Sequence, residues 1–428
     1  MLLVDDLRLE TDILPLLNFT YSHEGEAALG RLLRELPPTV VQVEEKQAVF
    51  RALLGQWHVV AEFSYSRIQL AEVQRFLHEV VSGQLALETN RLRLAARLLL
   101  SEEARYRSRA RYVQAIQLLR RLEQHYFRCL DPAGFPPGGK VRLAVIGRFL
   151  ERFSLADTAA AIAEDQFSAG RMVVFAQQLA AVSPEELADF WAAFFWFEAC
   201  WSAAKGMRQL GFTFPGFQAA GLHLAEFYHP MLPAPVKNTL DLDPTDNLVL
   251  LTGPNMSGKS TLLRAVGLCV YLAHAGLGVP AAACRVPFYS SIVVALNLAD
   301  SLSRGYSHFM AEIQNLKRVL EAAQEPGRVF AVFDELFRGT NSDDALDITR
   351  ATVAGLAGFP QSCFLISTHL LQLESQLPDQ PGLRTYCIEC TLHAGVPVFS
   401  YRLRPGWSNL KIGRVLFDKV GLPELLRP

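Results

Sequence analysis

Gly253-Pro254-Asn255-Met256-Ser257-Gly258-Lys259-Ser260 sets two glycines, a lysine and a hydroxyl at the GxxxxGKS spacing that cradles phosphate. The apolar run Leu248-Val249-Leu250-Leu251 precedes it and an amphipathic run follows, giving the strand, loop and helix order that nucleotide binding requires. Backbone N–H groups across residues 253–260 can wrap the β- and γ-phosphates, and the positive end of the following helix dipole faces the same anion. Lys259 adds a point charge, Ser260 offers an oxygen ligand to magnesium, and Gly258 lets the backbone approach closely. Hydrolysis needs a carboxylate to orient the metal and a group to position water. Asp334 and Glu335 follow the apolar run Phe330-Ala331-Val332-Phe333 and supply both, Asp334 toward magnesium and Glu335 toward a water in line with the γ-phosphate. Ser367-Thr368-His369 closes a further apolar run, at the carboxyl edge where open α/β sheets bind ligands. There His369 either reaches the γ-phosphate or the attacking water, or is an ordinary capping or core histidine.

These groups need a sheet to hold them. The apolar runs at 248–251, 330–333, 362–367 and 396–401 predict strands of a mostly parallel sheet. From residue 7 to about 214 the apolar residues instead recur at three- and four-residue spacing, which predicts helices. Breaks fall at Pro37-Pro38 and at the Gly/Pro-rich stretch 131–139, and the pattern changes near Phe214-Pro215-Gly216. The expected fold is therefore α plus α/β, with an all-helical domain over 1–214 followed by a P-loop domain over 215–428.

At 428 residues, half of them hydrophobic, the chain is long enough for two or three packed domains. The acidic start Met1-Leu2-Leu3-Val4-Asp5-Asp6 lacks the order of a signal peptide, and the apolar stretch 190–204 carries Glu198 and is too short for a membrane span. A buried helix is expected there. Seven scattered cysteines point to a reducing, cytoplasmic setting, and Cys387-Ile388-Glu389-Cys390, with no second CxxC, reads as strand cysteines rather than a metal site. A net charge of −2 excludes wholesale polyanion binding, so contact with DNA needs a local patch. Residues 91–142 hold twelve basic residues against four acidic ones, with Arg105, Arg107, Arg109 and Arg111 the densest run. Such a run either tracks phosphates or is a solvated helix face, and few aromatics interleave with it to stack bases.

The run from Gly253 through Gly-Leu-Gly-Val-Pro-Ala at 276–281 resembles the MutS mismatch-repair ATPases well beyond the phosphate loop. Ser307-His308-Phe309-Met310-Ala311-Glu312 is similar to that family's STFMxE segment, and Asp334-Glu335-Leu336-Phe337-Arg338-Gly339-Thr340 to its DEIGRGT segment. Thr368-His369 resembles the family's TH pair, and Tyr401-Arg402-Leu403-Arg404-Pro405-Gly406, with Gly413 and Gly421-Leu422-Pro423, resembles its ending. More weakly, Asp6-Leu7-Arg8-Leu9-Glu10 and residues 27–51 look like the start of the MutS core helical domain.

The resemblance implies ATP and Mg2+ as cofactors, with phosphate contacts from Gly253, Pro254, Asn255, Met256, Ser257, Gly258, Lys259, Ser260 and Thr261. It implies magnesium at Ser260 and Asp334, water activation at Glu335, and a switch-loop role for His369. Ser307 would reach the γ-phosphate of the other protomer, with Asp344 near the same interface, in a homodimer formed through the ATPase domain. His229-Pro230 and Asn238 resemble the segment bordering adenine. Pro235 stands where many members carry a stacking aromatic, His308 replaces Thr, and Phe337 replaces Gly. The expected activity is a Mg-dependent ATPase switch that binds DNA without a mismatch-reading domain of its own, a protein partner supplying DNA-structure recognition. The alternative is an ATP-gated dimer that binds a protein instead of DNA. A transporter ATPase subunit fits less well, because YSHFMAE stands where LSGGQ would. No membrane partner is expected.

Overall fold

The computed structural model describes residues 1–88, 102–254, 256–296, 308–337, 339–377, 380–393, 396–408, 417 and 425–426. It divides into two compact units, one formed by Met1–Leu16, Glu35–Glu44 and Met207–Pro428, the other by Leu17–Arg34 and Glu45–Gly206. The sequence break near 214 lies close to the boundary between Gly206 and Met207. The first sixteen residues, however, belong with the sheet rather than with the helices, and this corrects the reading of Asp6–Glu10 as the opening of a helical domain.

Helices α1 (His23–Arg34), α2 (Val40–Gly55), α3 (Arg67–Val81), α4 (Glu102–Leu122), α5 (Pro137–Glu151), α6 (Leu155–Ala163), α7 (Ala169–Ala180) and α8 (Pro184–Leu210) account for most of the chain up to residue 210. The Gly/Pro stretch ends the run before α5, where Pro137 occupies the first turn and loses no helical hydrogen bond. The apolar stretch at 190–204 is the buried middle of α8, and among the described residues no helix is long and apolar enough to cross a membrane.

Glu198, fully buried on α8, accepts hydrogen bonds from the Tyr21 backbone N–H, the Ser22 hydroxyl and the Tyr65 hydroxyl, each at 2.6 Å. Burial and the Glu198 charge push the Tyr65 pKa far up, so the phenol remains a donor. Rings of Phe63, Phe194, Phe197 and Trp201 pack around this knot. Glu198→Ala strands the buried Ser22 and Tyr65 hydroxyls and the part-buried Tyr21 N–H and is expected to destabilise the helical unit by about 3–5 kcal/mol, with Glu198→Gln losing less because an amide oxygen still accepts. Urea unfolding followed by tryptophan fluorescence reads this unit, which contains Trp57, Trp191, Trp196 and Trp201. Equal midpoints for wild type and Glu198→Ala would contradict the assignment.

The other unit is built on a seven-stranded sheet and a four-stranded one. The strands are β1 (Leu2–Leu3), β2 (Gly216–Phe217), β3 (Leu222–Phe227), β4 (Asn238–Leu242), β5 (Leu248–Thr252), β6 (Ala283–Val286), β7 (Ser291–Ala295), β8 (Val329–Phe333), β9 (Cys363–Thr368), β10 (Leu383–His393) and β11 (Val396–Pro405). The large sheet runs β1-β7-β8-β9-β5-β10-β11, and β2-β6-β3-β4 form the second. All pairs in the large sheet are parallel except β10–β11, so the stretch 396–401 is an antiparallel edge. Every residue of β5, β8 and β9 is buried, which is why their sequences read as unbroken apolar runs instead of alternating ones. Helices α9 (Lys259–His274), α10 (His308–Gln324) and α11 (Ser342–Ala357) belong to this unit. Val319 of α10 and Val353 and Leu356 of α11 join Phe333, Phe364 and Ile366 in its core.

At the end of α9, burial pulls the His274 pKa down to about 4, so the imidazole is neutral at pH 7. Its Nδ1–H donates to the Val270 carbonyl at 2.7 Å and Nε2 accepts from the Tyr289 N–H at 2.8 Å, fixing the tautomer and the end of the helix. Nearer the start of α9, the Asp6 carbonyl accepts from Arg264 at 2.9 Å, and the Asp6 carboxylate accepts from Leu296 N–H at 2.6 Å.

Candidate active site

Strand β9 lies between β8 and β5, with Phe333 in register with Ile366 and Thr252 with Thr368. Strands β5 and β9 therefore end level while β8 ends two residues earlier, and Asp334 and Glu335 continue alongside the end of β9. After β5 come the phosphate loop and α9, after β8 come Asp334 and Glu335, and at the end of β9 come Ser367 and His369.

Lys259 is 4% exposed, and its ammonium donates to the carbonyls of Gly253 at 2.8 Å and Pro254 at 3.2 Å. The same Nζ stands 3.3 Å from a carboxylate oxygen of Glu335, itself 6% exposed. The other Glu335 oxygen is 3.9 Å from Nδ1 of His369, whose side chain is half exposed. The Glu335 backbone sits at φ +51°, in the left-handed region that non-glycine residues rarely occupy. Its N–H is held by the Ser367 carbonyl at 3.1 Å and the Ser367 hydroxyl at 2.9 Å. That hydroxyl in turn donates to the Asp334 carboxylate in a short hydrogen bond. Ser367 thus ties both acidic residues to β9, a role that a lone serine in an apolar run does not announce.

The residues fit a magnesium nucleotide. Gly258, at φ +96°, begins α9 with no side chain capping the first-turn N–H groups, so these remain as anion donors. The Ser257 hydroxyl is fully buried in the cradle and has no hydrogen-bond partner among the described residues. Ser260 and Thr261 lie in the first turn of α9, and Asp334 is half-buried beside Ser367. Pro254 is half-buried while Met256, at φ +69°, is 77% exposed. Asn255 and Ser307 lie outside the described residues. Asp344 is in the first turn of α11, its N–H capped by the Asn341 side chain.

Beside the loop opens a cavity of about 400 Å3 lined by Phe227, His229, Leu232, Asn238, Leu262 and Tyr401, among others. Its size and apolar walls suit a nucleoside. Asn238 has little left to offer a base, because its amide N–H groups go to the carbonyls of Val236 at 3.3 Å and Tyr401 at 3.0 Å, and its oxygen accepts from Leu403 N–H at 2.8 Å. It anchors β11 while lining the cavity beside the phosphate loop. The strand so anchored brings Tyr401, at φ +57° and half exposed, against the phosphate loop. A Cβ added to Gly258 would meet the Tyr401 ring at 3.2 Å. An aromatic ring therefore faces the cavity although Pro235 lacks one. Burial, and next the Arg264 charge, lower the His229 pKa, and its Nε2 is buried with no hydrogen-bond partner among the described residues.

Residues 249–426 match the family model for MutS domain V. This part of the chain is similar to MutS domain V. Two proteins each called DNA mismatch repair protein MutS are similar to it. That of Natronomonas pharaonis is 33% identical over 220 residues, covering 50% of this chain and 26% of its own length. That of Myxococcus xanthus is 32% identical over 236 residues, covering 53% of this chain and 26% of its own. The chain spans about a quarter of the length of these curated relatives. The MutS domain V match begins inside β5 and takes in the phosphate loop, the acidic pair and His369, and the sheet order around them is that of a P-loop domain.

Outside the MutS-like part, the arginine run is less available than its charge count implies. Arg109 is bridged to Asp165 at 2.6 Å and Arg111 to Glu79 at 3.3 Å. The side chains of Arg105 and Arg107 lie outside the described set. Cys387 and Cys390 are free thiols in β10, both with pKa values raised by burial, and His393 has its side chain outside the described set.

Proposed function

We propose that this chain is a MutS-type ATPase that hydrolyses ATP to ADP and phosphate and uses nucleotide state to switch a DNA-binding dimer. The observation that carries the reading is the buried Glu335 carboxylate, held at the carboxyl edge of the sheet between Lys259 and His369. In this reading the N–H groups at the start of α9 and the Lys259 ammonium bind the phosphates, and Ser260 and Asp334 hold magnesium. Magnesium, when bound, neutralises charge on the phosphate oxygens. Glu335 orients the attacking water and draws its proton, with His369 on its exposed side. The cavity containing Tyr401 takes the adenine. Ser307 completes the site of a second protomer, which makes ATP part of the dimer interface.

Steady-state phosphate release and dimer formation, measured with homoduplex, mismatched and branched DNA at two salt concentrations, test this. The expected result is ATP turnover that DNA alters, with binding that weakens steeply as salt rises, since each phosphate contact releases counterions. A second reading, an ATP-gated dimer that grips a protein, draws support from the pairing of Arg109 and Arg111 with carboxylates of their own unit. It predicts the same turnover with no response to any DNA and partner binding that is insensitive to salt. A protein with no ATP turnover under any of these conditions would refute both.

A further inference from the structure

The turn that carries Glu335 is held at its far end by a second buried carboxylate. Glu312, in the second turn of α10 and 4% exposed, accepts a hydrogen bond at 2.6 Å from the backbone N–H of Phe337. Phe337 is 1% exposed and, like Glu335, sits in the left-handed region, at φ +67°. Two non-glycine residues in that region within three positions store strain, which persists only where neighbours over-determine the backbone. The first turn of α10 provides the neighbours. The Phe337 ring packs 6.2 Å from that of Phe309, and a Cβ added to Gly339 would meet the Phe309 Cβ at 2.8 Å. The backbone after β8 thus lies flush on α10, fastened by one ring pair and one charge-assisted hydrogen bond.

We infer that Glu312 is a positioning residue that couples α10 to Glu335. The inference rests on the ATPase reading above. One residue, Leu336, separates the N–H that Glu312 holds from the residue whose carboxylate faces Lys259 and His369. A displacement of the first turn of α10 is therefore transmitted through Phe337 to the angle at which Glu335 meets its water. The phosphate-binding groups hang from β5 and α9 and meet this linkage only where the Lys259 ammonium faces Glu335, so Glu312 acts on the chemical step far more than on nucleotide binding.

ATP hydrolysis by the full chain is measured for wild type, Glu312→Ala and Glu312→Gln, with the affinity for a fluorescent ATP analogue. Glu312→Ala is expected to lower kcat by roughly 10- to 100-fold, the cost of misplacing a catalytic group by about 1 Å, with KM and analogue affinity within about threefold of wild type. Glu312→Gln keeps an oxygen acceptor for the Phe337 N–H and is expected to restore most of kcat, which also covers the case in which the alanine variant fails to fold. An unchanged kcat in a folded Glu312→Ala overturns the inference, as does equal loss of kcat and analogue affinity, or a glutamine variant that binds the analogue but turns over no faster than the alanine variant. A wild-type chain that hydrolyses no ATP removes the ATPase reading itself, whereas an active wild type with an equally active Glu312→Ala removes the coupling alone.

Discussion

Glu335→Gln is expected to bind ATP within about threefold of wild type and to hydrolyse it at least 100-fold more slowly, in the range assigned to a positioned general base. Glutamine keeps the length and planarity of the side chain, and its amide oxygen can still face the Lys259 ammonium across the 3.3 Å now spanned by the carboxylate. The backbone hydrogen bonds to Ser367 do not involve the side chain, so the φ +51° turn survives the change. The lost property is the negative charge that polarises water and takes its proton. Titration with a fluorescent ATP analogue and a phosphate-release assay separate the two quantities. Turnover unchanged from wild type would take the catalytic role from Glu335. Loss of binding together with turnover would show that the carboxylate serves the phosphate cradle rather than the water.

Much of this site is legible in the sequence because its parts are local. A phosphate loop is one continuous segment between a strand and a helix, and Asp334-Glu335 stands at the end of a strand that is apolar throughout because both of its faces are covered. What the sequence hides is non-local. Strand β1 consists of Leu2 and Leu3 alone, too short for any periodicity, and pairs with Ile292 and Val293 far along the chain. Tyr401 reaches Gly258 because the β10–β11 register shifts between Ile388 and Cys390. A bulge re-aims a side chain in a way that alternation cannot foretell. The charge count over 91–142 hides partners for a related reason, since Arg109 and Arg111 face Asp165 and Glu79, outside that window. Phe337 shows the opposite case. Its departure from the family's glycine is visible in the sequence, yet only the fold reveals that packing against Phe309 and the hydrogen bond its N–H donates to Glu312 hold it at a backbone angle suited to glycine.

Lys259→Met is expected to abolish measurable ATP binding and also to destabilise the nucleotide-binding unit by about 3–5 kcal/mol, and the two effects have different causes. Binding fails because the ammonium is the point charge facing the phosphates. Stability falls because Lys259 and Glu335 are 4% and 6% exposed, so removing the cation leaves a carboxylate desolvated beside an apolar stem. A buried pair contributes little net stability when intact but costs much when broken on one side. The double variant Lys259→Met with Glu335→Gln removes both charges and is expected to recover most of the lost stability while remaining unable to bind ATP. Chemical denaturation of wild type, both single variants and the double variant gives the coupling energy, which should be large for groups in direct contact. Additive single effects would mean that the two side chains do not act as a pair. Restored ATP binding in the double variant would mean that the lysine matters only as the partner of Glu335, and that the N–H groups at the start of α9 suffice for the phosphates.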